Sequence, residues 1–250
     1  MTRLPCNMAH RLLLAWLVWV PWAAAANDDV TLTPHSAEYR VKISVLGGSL
    51  NTHLQALENG YRAESAIEAT GVSRVVARGS IRETSEFAMS PDGLRPQRFT
   101  STDTLTSEAQ TVELGFDWEA GEASGVIDEA DFSTSLDGPV HDRVSLQYGL
   151  MHDLLNGIER QTYFLQDAEE LKELSIRNAG TKTVRVPFGS FEAVGIQHQT
   201  ANSSRITTLW CARELGYLPV IIEQHRKGKL RMRAVLTDYQ PVATNNQPDN

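Results

Sequence analysis

An antiparallel β-barrel or curved half-barrel with one amphipathic helix is the fold this sequence predicts. Three observations point to it. Apolar residues alternate at every second position over most of the chain. Turn dipeptides separate the alternating runs, and in a single interval the spacing changes to that of a helix.

The alternation comes first. Tyr39, Val41, Ile43 and Val45 fall on one side of an extended chain, with Arg40, Lys42 and Ser44 on the other. Val112, Leu114, Phe116 and Trp118 repeat the pattern, as do Val184 with Val186, Val194 with Ile196, and Leu230, Met232, Ala234 and Leu236. Period-two spacing marks half-buried strands, because successive side chains leave a strand on opposite faces. Asn59-Gly60, Asp92-Gly93, Ala120-Gly121 and Lys227-Gly228 lie between such runs. Dipeptides of this kind supply the positive φ that tight hairpins require. The runs and turns predict roughly ten to twelve short strands with hairpin connections. Gly47-Gly48 reads as a further turn or bulge.

The helix follows. In His141–Gly157 the residues Val144, Tyr148, Met151 and Leu155 recur at helical spacing, with Leu150 and Leu154 beside them. The predicted helix covers about 142–156, with Asp142 as N-cap and Gly157 as the stop. Gly149 weakens it. Its apolar stripe is expected to pack on the concave side of the sheet. A second helical turn is predicted over Val72–Ala77.

The amino-terminal 26 residues differ from the rest. Arg3, His10 and Arg11 precede nine consecutive apolar residues, Leu12–Val20, and then small residues end at Ala26. This is the pattern of a cleavable secretory leader, and the apolar run is far shorter than a membrane span. Cleavage after Ala26 predicts a mature periplasmic chain with one β-rich domain over 27–240 and a disordered tail over 241–250. The leader removes Arg3, Arg11 and Cys6 and no acid, so the mature net charge moves from −8 to −10. Cys211 is then the lone cysteine and no intrachain disulfide can form.

Composition and motifs exclude several functions. An acid excess disfavours a broad nucleic-acid surface. The histidines form no H-x-x-x-H or H-E-x-x-H pair, so no metal site is expected. No nucleophile elbow or glycine-rich phosphate loop occurs. The acids near 117–131 and 167–170 read as solvated turns, leaving a hydrolase with paired acids as a minor alternative. The basic residues Lys229, Arg231 and Arg233 alternate on one strand and form a candidate strip for an anionic partner.

Five segments in order resemble a secreted bacterial family, "domain of unknown function 3108". They are Pro34–Tyr39 with Glu38 and Tyr39, Asp142–Gln147 with Asp142 and Arg143, Pro187–Phe191 with Pro187 and Gly189, Thr207–Trp210, and Leu215–Val220 with Tyr217 and Pro219. The resemblance covers about 33–239. It implies a secreted β-rich fold and no catalytic residue, and it leaves these side chains with structural roles. A looser likeness to periplasmic lipoprotein-carrier half-barrels implies a curved sheet with a helix over a hydrophobic cavity. The expectation is a non-enzymatic periplasmic protein without cofactor, holding a lipid-like or other hydrophobic ligand between sheet and helix. The alternative is a cell-envelope interaction module with a packed core and a protein partner.

Overall fold

The computed structural model describes residues 30–106 and 109–242. The leader and most of the tail lie outside the described residues. Described strands in chain order are β1 (His35–Ile43), β2 (Leu46–Leu57), β3 (Gly60–Ala69), β4 (Ser80–Ser90), β5 (Gly93–Asp103), β6 (Gln110–Asp117), β7 (Glu122–Ile127) and β8 (Ala130–Ser135). A two-residue strand β9 (Val140–His141) leads into the helix α1 (Ser145–Leu155). Then come β10 (Thr162–Asp167), β11 (Glu170–Val186), β12 (Gly189–Thr200), β13 (Arg205–Ala212), β14 (Leu218–Arg226) and β15 (Lys229–Pro241).

Among the described residues the fifteen strands form one sheet, in the order β8 to β1, then β15 back to β9. The sheet is therefore two meanders joined by the antiparallel pair β1–β15, with Val41 opposite Ala234. Every pairing is antiparallel except the short parallel contact of β9 with β10. Of the two predicted forms, the open half-barrel is correct. β8 and β9 end the sheet and do not pair with each other.

The predicted turns are in place. Lys227 and Gly228 both have positive φ, 50° and 72°, as a tight hairpin needs. Gly47-Gly48 departs from its expectation: both residues belong to β2, and the turn is formed by Ser44-Val45. A Cβ on Gly48 would lie 2.9 Å from the Glu68 carbonyl oxygen, so glycine there permits close approach of β3. The turn predicted over Val72–Ala77 is a 3₁₀ turn, Gly71–Val75.

The helix lies where the spacing placed it, but it is not amphipathic. Eight of its residues are buried, Leu146 and Leu150 as well as Tyr148 and Met151. Tyr148 and Met151 join the larger core, which draws on strands of both meanders, whereas Leu146 and Leu150 pack with Tyr163, Leu174, Ile196 and Leu209 of the second meander. The sheet curls around the helix, so both flanks need apolar residues. Gly149 serves packing as well: a Cβ there would come within 2.6 Å of the His141 ring. The expected cavity between sheet and helix is filled by these side chains.

The helix begins near the middle of the sheet and runs toward the end formed by turns 58–59, 91–92 and 187–188. The opposite end remains unplugged. It is edged by turns 44–45, 70–79, 128–129, 201–204 and 227–228, and is called the open rim below.

Candidate functional site

The segment 140–145 crosses from one meander to the other just before the helix. Asp142 is fully buried. Its Oδ1 accepts the backbone N–H groups of Val144 and Ser145, each at 2.8 Å. Its own N–H donates to Ser145 Oγ at 3.0 Å. These bonds satisfy donors that a helix start leaves unpaired, and so Asp142 does cap α1, one turn of chain earlier than its first helical residue. Oδ2 accepts from Ser85 Oγ on β4 at 2.6 Å. Burial raises the Asp142 carboxyl above its ordinary range, and the hydrogen bonds from Ser85 and Ser145 partly offset that shift.

Arg143 spans the two meanders. Its Nε lies 2.7 Å from Glu83 Oε1 on β4, but that N–H is not aimed at the oxygen, so the contact is a charge pair without a hydrogen bond. Nη1 donates to Asp167 Oδ1 on β10 at 3.1 Å, and Nη2 to Ser101 Oγ on β5 at 2.8 Å. The guanidinium also lies 5.5 Å from the centroid of the Phe99 ring. Lys172 pairs with the same Asp167 and with Glu170. Burial pushes Glu83 up, with Arg143 pulling against it.

Beyond this crossing the concave face stays open to the rim. Strand register places Ile43, Leu46, Ile67, Ile81 and Met232 on that face, along the contiguous strands β15, β1, β2, β3 and β4. None of them is buried. On the adjoining strands β14 and β13, Arg226 and Arg205 pair on the same face. Arg205 borders three clefts, of about 730 Å³ toward Ile67, Ile81 and Arg143, about 510 Å³ toward Lys172, His198 and Arg226, and about 480 Å³ toward Gln224, Lys227 and Arg231. Among the described residues neither Arg205 nor Arg226 has an ion-pair partner. The vestibule thus has an aliphatic wall with a cationic one beside it, and the carboxylates of Glu83, Asp103 and Asp128 also line the larger cleft. Burial lowers His198, on the cleft lining, to about 4, so it is neutral near pH 7.

His141 sits behind the vestibule in β9, not on the helix. Its ring is buried between Gly149 and Tyr163, with centroids of the His141 and Tyr163 rings 5.5 Å apart. Burial lowers it from 6.5 to about 4, against an upward pull from Asp153. The unfolded chain therefore takes this proton first. The stability of the neutral ring is complete above about pH 6.5 and is lost as pH falls toward about 4. Glu83 and Asp142, shifted upward, oppose part of that loss at the acid end. A shift of this size corresponds to at most about 3 kcal/mol. We expect the thermal midpoint to fall from neutral pH to about pH 4.5, and His141→Gln to flatten that slope. An equal slope in the variant would refute the assignment.

Among the described residues no group of three or more His, Cys, Asp or Glu side chains could hold a metal ion. Part of the first cluster lies at turns, where Asp117 Oδ1 accepts the N–H groups of Glu119 and Ala120 and Asp128 that of Thr111, whereas Glu122 starts β7 and Asp131 belongs to β8. Only Asp167 of the second cluster reaches the crossing.

The family model described as "Protein of unknown function (DUF3108)" matches residues 35–235. The chain belongs to this family. Among curated proteins none matches the sequence. The fold is similar to a beta-barrel-like protein of domain of unknown function DUF1849 from Brucella abortus, with a TM-score of 0.58 and 13% identity over 86% of this chain and 100% of that one. A protein with a YmcC-like fold from Bacteroides fragilis aligns over 82% of this chain and 95% of its own at a TM-score of 0.33 and 11% identity.

The DUF3108 motif residues divide by location. Asp142 and Arg143 form the crossing. Tyr39 is buried in the core, and Glu38 lies where β1 shifts register against β15. Pro187 lies in the β11–β12 turn, and Gly189 starts β12. Trp210 packs on the outer face: its Nε1 donates to Glu223 at 3.3 Å, and Lys182 Nζ lies 3.5 Å from its ring centroid. A Cβ on Gly195 would meet that ring at 2.7 Å. Tyr217 follows Gly216 in the left-handed region and turns the chain toward Pro219, which is buried opposite Cys211. Lys229 and Arg231 are exposed at the open rim, and Arg233 pairs with Glu223 at 3.4 Å. The vestibule was missed in the sequence. Arg205 and Glu83 stand alone among polar neighbours, and only register brings them to one face.

Proposed function

We propose that this DUF3108 protein is a non-enzymatic periplasmic carrier, and that its open vestibule holds an anionic amphiphile. The observation behind this reading is the pairing of walls. Ile43, Leu46, Ile67, Ile81 and Met232 offer an apolar bed. Arg205 reaches the same cleft as Ile67 and Ile81, and Arg226 adjoins it on β14, both arginines without ion-pair partners among the described residues, while Glu83, Asp103 and Asp128 line the far side of that cleft. An acyl chain laid on the first wall puts a carboxylate or phosphate within reach of the second, where arginine's planar fork suits either oxyanion. The ligand thus sits ahead of the helix and not beneath it. The leader pattern of residues 1–26 supports the periplasmic setting.

Lipid extraction of the mature protein followed by mass spectrometry should recover an anionic amphiphile. A dansylated long-chain carboxylate should bind the purified protein, and Arg205→Glu should weaken that binding roughly tenfold or more. An empty extract together with unaltered probe binding in Arg205→Glu would overturn the proposal.

A further inference from the structure

The open rim carries a second feature, which shares only Ile43 and Leu46 with the vestibule. Val45, at the tip of the β1–β2 turn, is 88% exposed, and Val72 and Val75 of the neighbouring 3₁₀ turn, with Val76 just after it, are 88%, 73% and 73% exposed. Ile43, Leu46 and Leu230 beside them are also exposed. Isolated exposed aliphatics are ordinary, but a contiguous group of this kind marks a contact surface.

The turn that presents these valines is anchored. Ser73 is buried, and its Oγ accepts the Gly47 N–H at 2.8 Å. Thr70 N–H donates to the Gly47 carbonyl at 3.0 Å, and Arg74 Nε to that of Ala69 at 3.1 Å. A serine fixed inward on a 3₁₀ turn leaves its valine neighbours projecting outward.

Cations surround the group. Arg40, Lys42, Arg231 and Arg233 line a groove of about 540 Å³ together with Val45, Leu46 and Leu230. Arg74 lies in the 3₁₀ turn and Arg78 follows it, while Lys227 and Lys229 lie in and beside the adjacent hairpin turn. Among the described residues Arg40, Lys42 and Arg231 have no ion-pair partner. In a chain with 31 acids against 23 bases, this concentration runs against the composition. Of the acids at the same rim, Asp128, Glu129, Glu169 and Glu170 lie at the outer turns of β7–β8 and β10–β11, Asp103 faces the vestibule, and Glu68, just before the 3₁₀ turn, is paired with Arg82.

We propose that the centre of the open rim docks on an anionic phospholipid bilayer, with Val45, Val72, Val75 and Val76 entering the interface and the surrounding cations facing the headgroups. The shape favours a bilayer over a protein. The apolar residues are small, aliphatic and protruding, whereas protein hot spots are concentrated in aromatic residues and arginine seated in pockets. Protruding aliphatics with a cationic ring satisfy both parts of interfacial binding, shallow apolar insertion and attraction to anionic lipid. This docking does not depend on what the vestibule holds.

The test uses mature protein and vesicles of phosphatidylcholine alone or mixed equally with phosphatidylglycerol. Cosedimentation is expected only with the anionic vesicles, and high salt should weaken it. Lys42→Gln and Arg231→Gln should each reduce partitioning by about fivefold, and Val75→Asp by at least as much. All three sites are exposed, so an unchanged melting curve certifies the fold of each variant. A second readout needs no loss of binding. An environment-sensitive dye on Val75→Cys should shift to the blue on anionic vesicles, while the same dye on Glu58→Cys at the opposite end should not. Cys211 does not compete for the label, because burial pushes its thiol up to about 12. Equal partitioning onto neutral and anionic vesicles, or wild-type binding by the variants, would overturn the proposal. So would a Val75 dye that shifts only with an acidic protein.

Discussion

Replacing Arg143 with methionine is expected to lower the unfolding free energy by about 2–3 kcal/mol near neutral pH, below the range for fully buried pairs because its side chain retains 30% exposure. The substitution keeps the apolar stem and removes the charge. Asp167 retains Lys172 as a partner, but Glu83, whose side chain is only 12% exposed, loses its counter-ion. An unpaired, largely buried carboxylate near Asp142 and Asp167 accounts for most of the cost. The sign of the pH dependence follows. Burial already raises Glu83, and loss of Arg143 raises it further, so the folded variant takes a proton more readily than the unfolded chain. The deficit should therefore shrink as pH falls toward the acid range. Urea denaturation at neutral and mildly acidic pH measures both effects. Arg143→Met combined with Glu83→Gln should recover more than half of the loss, because the orphaned charge is gone. A deficit that is the same at both pH values would show that Arg143 acts through packing alone.

Tyr148→Ala should be costlier, about 3–5 kcal/mol, because it empties the largest side chain of the helix from a site without room to collapse. The Tyr148 ring stacks on Phe87 at 5.5 Å between centroids and lies 6.2 Å from His35. Through these rings it holds the helix against the first meander, while Leu146 and Leu150 pack on the second. The same denaturation curves report the value, and a loss below about 1 kcal/mol would mean that the helix is not wedged as described. Thermal scans should show one transition at lower temperature in the variant, since both meanders share the helix.

The period-two runs made the strands legible because a sheet with one wet face must alternate. Where both faces are covered, or the inner face is polar, the pattern fails. At the open rim Glu83, Asp103 and Arg205 occupy inward positions, so β4, β5 and β13 lose their alternation there and the vestibule left no periodic trace. The helix was legible from its spacing, but its burial on both flanks was not. That depends on the second meander closing over Leu146 and Leu150. Gly149 read as a weakness because the His141 ring that requires it lies outside the helix. Arg143 was recognisable only through the family motif, since its partners Glu83, Ser101 and Asp167 are set by topology. The candidate strip at Lys229, Arg231 and Arg233 was visible, whereas Val45 and the valines of the 3₁₀ turn, whose exposure depends on the Ser73 anchor, were not.

The β1–β15 join has a consequence for how the molecule assembles. Each meander is built from neighbours in sequence and can zip by local hairpins, but His35 must find Pro241 at the far end of the chain. Ordering such a distant pair is slow, because chain entropy is surrendered before the contact rewards it. A chain that emerges from its amino end exposes the bare edge of β1 until the last strand has arrived, and an unpaired edge is a template for wrong partners. The central seam of the finished sheet is therefore its last step in time, and the interval before it closes is when this protein is most open to aggregation.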